Sequence, residues 1–184
     1  LTKKGITNNI AKVFKAVGNK KTVKFLDALK EIGFRFAMYG GLSINLDDIL
    51  IPESKDKIIE SAAKKVDGIE RSRMRGLITE GERYNKVIDI WTHATNEVKS
   101  ELMTTLRTSR DGFNSLHMMI DSGARGSQDQ VSQLAGMRGL MAKPQKSLIG
   151  SAGEIIENPI IANFKEGLSI LEYFISTHGA RKGL

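Results

Sequence analysis

Two apolar stripes of helical spacing, set on either side of a capped turn, constrain this chain more than any other feature. Ile58, Ala62, Val66 and Ile69 recur at steps of four, four and three residues, and Tyr84, Val87, Trp91, Ala94, Val98 and Leu102 repeat in the same way. That spacing returns each side chain to one face of a helix. Between the stripes, Thr79-x-x-Glu82 forms a capping box, in which each side chain meets the other residue's backbone N–H. Residues 76–81 read as the turn. The economical fold is an antiparallel helical hairpin over 54–106, with arms of roughly 30 Å each. Its outward positions are densely charged and its stripe is narrow. The hairpin is therefore expected to project from a larger body rather than to build a core around itself.

The flanking segments extend a mostly α, multi-helical reading with few short strands. Ile10, Val13, Phe14 and Val17 mark a first helix, which Gly18-Asn19 breaks. Val23, Phe25, Leu26 and Leu29 mark a second, ended by Gly33. Gly40-Gly41 is a turn, and the alternation of Leu42, Ile44 and Leu46 suggests a short strand. Residues 109–112 are a polar break, 114–120 are rich in Met and Leu, and Gly123, Gly126, Gly136 and Gly139 punctuate the stretch up to Pro144. Pro159 bars 154–161 from a central strand. Asn163, with Glu166 three residues later, is placed to cap a final helix beginning near Leu168. The expected units are 1–53, 54–107, 108–158 and 159–184. The chain starts without Met and stops inside a helical pattern, so it reads as an internal piece of a longer protein.

Little chemistry is self-contained here. There is no cysteine, which excludes disulfides, thiolate nucleophiles and Cys-based zinc sites. Lys plus Arg outnumber Asp plus Glu by 28 to 21, which favours anionic partners without choosing among them. No apolar run reaches the length of a membrane span. Gly123-Ala124-Arg125-Gly126 is neither a dinucleotide fingerprint nor a P-loop. His93 reads as surface and His117 as packing. His178, with Arg181 and Lys182 on one helical face, suits an anion. Asp47-Asp48 make a poor shared metal site if they sit on a strand, and Asp121 reads as a turn or cap residue.

Residues 121–144 read DSGARGSQDQVSQLAGMRGLMAKP, and residues 159–184 read PIIANFKEGLSILEYFISTHGARKGL. With GLITEGERYNKV at 76–87 and VFKAVGNKKTVKF at 13–25, these stretches closely resemble the beta-prime family of bacterial DNA-directed RNA polymerases, in order and over nearly the whole chain. The resemblance implies a cytoplasmic, nucleoid-associated enzyme of nucleotidyl transfer. This region would form the funnel around its secondary channel, through which nucleotides enter. The hairpin would be the channel's rim, with Arg83, Asn85, Lys86 and Asp89 docking transcription factors and, beside a factor, guanosine tetraphosphate. Arg125 would face incoming nucleoside triphosphates. Met137, Arg138, Met141 and Lys143 would belong to the F-loop, which supports the trigger loop and bridge helix. His178, Arg181 and Lys182 would lie near nucleic acid at the start of the bridge helix.

Partners implied by the resemblance are the beta, alpha and omega subunits, sigma factor, channel-binding factors, DNA and RNA, with no membrane. The family's magnesium-binding NADFDGD sequence and its trigger loop are absent from this sequence. Magnesium and zinc are thus expected elsewhere in the parent, no catalytic or metal residue or cofactor is expected here, and the piece alone should be inactive. Residues 145–155 are a few longer than the family's common form. On stripes and charge alone, the alternative is a freestanding helical adaptor that binds a protein through its hairpin.

Overall fold

The computed structural model describes residues 3–142 and 155–183, with side chains placed as far as Thr177. Six α-helices carry the described chain: α1 Lys3–Tyr39, α2 Lys55–Met74, α3 Glu80–Thr108, α4 Ser115–Ser122, α5 Gln128–Ala135 and α6 Ile170–Gly183. Short 3-10 turns occupy Leu46–Asp48 and Ser109–Gly112. Among the described residues there is no sheet, only two isolated antiparallel bridges, Gly139 with Ile160 and Ala142 with Ile155. The mostly helical expectation holds.

Gly18 interrupts α1 at φ 73°, a conformation glycine adopts without steric cost. The helix resumes at once, and Thr22 folds its hydroxyl back onto the Gly18 carbonyl at 2.7 Å. Gly33 does not end it. A glycine inside a helix costs only about 1 kcal/mol, and α1 runs on to Tyr39, stopping at Gly40-Gly41. Nor is there a strand at Leu42, Ile44 and Leu46. All three are exposed, no second segment pairs with them, and a strand without a partner leaves its ladder unmet.

Helix α3 is the spine of the body. At its start the expected capping box forms: Glu82 N–H donates to Thr79 Oγ1 at 3.3 Å, and Thr79 N–H to the Glu82 carboxylate at 2.9 Å. The turn is residues 75–79, since Gly81 already lies in the helix. Val87, Trp91, Ala94 and Val98 pack with Ala62, Ile58, Val66 and Ile69 of α2 and with Met137. Further on, Leu102 and Leu106 join Ile49, Leu116, Val131 and Ala135 in a second cluster, with Ile120 and Leu134 at its edge. Val98, Leu102 and Leu106 are fully buried. The stripe expected to be too narrow for a core thus serves two cores in succession. α4 and α5 supply what α2 lacks, so the second half of α3 lies inside the body.

The corners are held by polar side chains. Buried Asp48 pairs with Arg110 at 2.6 Å and accepts Asn45 N–H at 3.0 Å. It lies in a 3-10 turn rather than a strand. Asn114, fully buried, caps α4 by accepting His117 N–H at 3.1 Å and donates to the Asp48 carbonyl at 3.0 Å. Asn163 does not cap the last helix. It accepts Glu166 N–H at 2.8 Å across a single turn, and its amide donates to the Ala135 and Gly136 carbonyls, each at 3.1 Å. The box that starts α6 is Ser169 with Glu172. The two patterns are alike in sequence, and only the second is followed by unbroken helix.

Candidate functional site

At the start of α3, Asn85, Lys86 and Asp89 are all exposed, on the face opposite buried Val87 and Trp91. Arg83 is not part of that open face. Its side chain is 12% exposed and meets Glu80 at 2.6 Å, Glu157 at 2.8 Å and Glu70 at 3.7 Å. Hydrogen bonds from Glu157, then Glu80, raise its pKa further, so the guanidinium is fixed as a cation among carboxylates. Arg73 adds a contact to Glu80 at 2.5 Å. The network ties both ends of the turn to residue 157. Of the four residues expected to dock a factor, three share open surface and one braces the turn beneath them.

Arg125 sits between α4 and α5 and is exposed. Of its two nearby acidic residues, Asp121 and Asp129, the second is taken by Lys99 at 2.5 Å, and among the described residues no carboxylate lies within ion-pair distance of Arg125. Met137 is buried beneath α3, where Thr95 Oγ1 lies 3.8 Å from its sulfur. Arg138 stacks over the Phe164 ring at 5.0 Å and donates to Ser176, a buried residue of α6. Met141 accepts Ile156 N–H at 2.8 Å. Lys143, the longer segment 145–155 apart from Ile155, and the side chains of His178, Arg181 and Lys182 lie outside the described residues; the backbone of those last three is within α6.

Two histidines are placed. His93 is exposed, as its surroundings suggested. His117 is half-buried, but not in apolar packing. It lines a mainly polar cleft of about 680 Å³ with Asn96, Lys99, Met103, Arg107, Asp121 and Gln128. Among the described residues no three His, Asp or Glu side chains are grouped to hold a metal, and no helix is long and apolar enough to cross a membrane.

Sequence reasoning missed Tyr84 as more than a stripe residue. Its hydroxyl lies 2.9 Å from both the N–H and the C=O of Ile155. It also missed buried Lys55, which pairs with Glu166. Both partners are distant in sequence, and no local pattern announces them.

A multi-helical segment with both of its cores strung along one long helix, α3, and with Lys86 and Arg125 exposed at a helix start and a loop, is the class this geometry describes. The family described as RNA polymerase Rpb1, domain 4, matches residues 78–165, and that described as RNA polymerase Rpb1, domain 3, matches residues 1–49. The DNA-directed RNA polymerase subunit beta' of Chlorobium phaeobacteroides is 58% identical over all 184 residues, which span 12% of that protein. The same subunit of Nitratiruptor is 58% identical and that of Bacteroides fragilis 54%, again over the whole chain and over 12% and 13% of the relative. The chain belongs to the beta-prime subunit family of DNA-directed RNA polymerases. It spans 12–13% of the length of these relatives.

Proposed function

We propose that this chain forms the wall and rim of the nucleotide-entry channel of a bacterial, cytoplasmic DNA-directed RNA polymerase. The observation that carries this reading is the match of all 184 residues to beta-prime subunits, with 58% identity to that of Chlorobium phaeobacteroides. In this reading α2, the 75–79 turn and α3 are the antiparallel rim hairpin. Ion pairs between Glu70 and Arg83 and between Arg73 and Glu80 support that orientation. The units 1–53, 54–107, 108–158 and 159–184 are then a segment leading to the hairpin, the hairpin itself, the return through the F-loop, and the start of the bridge helix. Asn85, Lys86 and Asp89 dock channel-binding factors, with guanosine tetraphosphate held only beside a factor, while Arg83 braces that surface. Met137, Arg138, Met141 and Lys143 act on the rate of catalysis through neighbouring elements. His178, Arg181 and Lys182 approach nucleic acid. The carboxylates and magnesium of phosphodiester formation, and the contacts to beta, alpha, omega and sigma, belong to the whole enzyme.

Arg125 supplies the test. An exposed guanidinium without a carboxylate of its own among the described residues is suited to meet triphosphates as they pass. In the reconstituted polymerase, Arg125→Ala should raise the apparent KM for nucleotide about tenfold or more, the weight of one charge-assisted contact. Unchanged kinetics at limiting nucleotide would overturn this role. For the docking surface, Lys86→Ala and Asp89→Ala should each weaken binding of a channel-binding factor. The loss is about 2–5 kcal/mol if the contact is buried on docking and much less at a rim. Wild-type affinity in both, at low and at physiological salt, sinks the docking role.

A further inference from the structure

The short pairing of 139–142 with 155–160 leaves one residue's backbone facing outward. Gly139 and Ile160 exchange both N–H···O bonds at 2.9 Å. Ala142 faces Ile155 differently: Ile156 N–H donates to the Met141 carbonyl at 2.8 Å, which makes Ala142–Ile155 a non-hydrogen-bonded pair. In that position the N–H and C=O of Ile155 point away from the partner segment. A half-buried outward pair has to be met by something. The Tyr84 hydroxyl meets both groups, donating to the Ile155 carbonyl and accepting from its N–H, each at 2.9 Å. A phenol is donor and acceptor at one atom, so it does here what one residue of a third strand would do.

The neighbouring contacts continue the connection. Five residue steps separate Ile155 from Ile160 but only three separate Gly139 from Ala142. The second segment therefore bulges, and Glu157 in the bulge reaches Arg83, beside Tyr84 on α3. At the other bridge, a Cβ added to Gly139 would lie 3.3 Å from the Thr95 side chain, so this end rests directly on α3 as well. Arg138 immediately precedes Gly139 and is bonded to Ser176 of α6. An unbroken run of direct contacts thus leads from Tyr84 through the paired segments to α6.

We propose that Tyr84 is a positioning residue for nucleotide addition: by closing the open edge at Ile155 it fixes the paired segments, and with them the Arg138 contact that seats α6. This rests on the polymerase reading above. The test uses the full-length subunit assembled into polymerase, carrying Tyr84→Phe, which deletes one oxygen and keeps the ring, or Glu157→Gln, which removes the charge facing Arg83. Amide hydrogen exchange at Ile155 and Ile156 is measured together with single-nucleotide addition at limiting and saturating nucleoside triphosphate. Tyr84→Phe should speed exchange at Ile155 about tenfold, the weight of one to two hydrogen bonds, and lower kcat with KM unchanged. Glu157→Gln should move both in the same direction by less. Unchanged exchange at Ile155, or a raised KM with unchanged kcat, overturns the proposal. If Tyr84→Phe fails to assemble, Glu157→Gln decides alone. Arg125→Ala in the same enzyme separates the two readings. A KM that responds to Arg125→Ala beside kinetics indifferent to Tyr84→Phe refutes the positioning role only.

Discussion

Arg110 and Asp111 are held at φ 51° and 55°, the left-handed region that L side chains seldom enter. The two residues bear that cost for different reasons. Arg110 turns its guanidinium onto Asp48, whose side chain is only 4% exposed. Asp111 is exposed and makes no ion pair among the described residues. The substitutions Asp111→Gly and Arg110→Gly should therefore have opposite signs. Asp111→Gly removes the steric cost and should stabilise the chain by up to about 1 kcal/mol, less the entropy glycine adds to the unfolded state. Arg110→Gly removes the same cost but strips a buried carboxylate of its cation, and should destabilise by about 1–2 kcal/mol, since half of the arginine is in solvent. Urea denaturation measures both; equal shifts of the same sign would refute the distinction. Neither residue could be singled out from sequence. A Ser-Arg-Asp-Gly stretch reads as a polar turn, and backbone sign is decided by a partner 62 residues away.

At the scale of elements, what was legible was what is local. The α3 stripe, its capping box and the break at Gly18 follow from spacing within one or two turns; the structure has the first two, and has the break as a kink across which α1 resumes. Where two patterns competed, distance decided. Asn163-x-x-Glu166 and Ser169-x-x-Glu172 are both capping boxes on paper, but Asn163 is drawn into the body by the Ala135 and Gly136 carbonyls. Helix α6 accordingly starts at the second box, and its start carries a pH dependence. Burial pushes the Glu172 carboxyl up, but donors from Ser169, Ala162 and Ile161 outweigh burial and hold its pKa below the usual carboxylate value. A carboxylate lowered in the folded state lends stability that is complete above its unfolded pKa and is lost as pH falls through the folded one. The first turn of α6 should therefore loosen only below the ordinary carboxylate range, and Glu172→Gln should abolish that dependence. Amide exchange at Ser169 and Glu172 against pH is the measurement, and a profile that is the same in both proteins would refute it. The candidate site was legible in composition but not in pairing. Asn85, Lys86 and Asp89 are exposed as a charged helix start should be. Arg83 reads identically in sequence and is committed to Glu157, 74 residues on.

The whole molecule divides unevenly. Both core clusters lie along α3, and α1 contributes to neither. Phe34, Phe36, Met38 and Tyr39 near the end of α1 are each about two-thirds exposed. Apolar surface on that scale is unusual for a chain that works alone, which accords with relatives in which this stretch is a small part of a much longer subunit.

The ties between 48–55 and 163–166 have a further consequence. Lys165 donates to the Ile49 carbonyl at 2.6 Å and Lys55 pairs with Glu166, so the chain enters and leaves the body through one neck. Two ends of the matched family segments fall at that neck, one at residue 49 and the other at 165, while the second segment begins within the body at residue 78. A body whose entrance and exit adjoin can be lengthened or shortened at its far loops without moving the two chain segments of the neck. Residues 49 and 165 are thereby held side by side, and the 115 residues between (50 through 164) leave and return to nearly one point, as a single large loop with an interior of its own would.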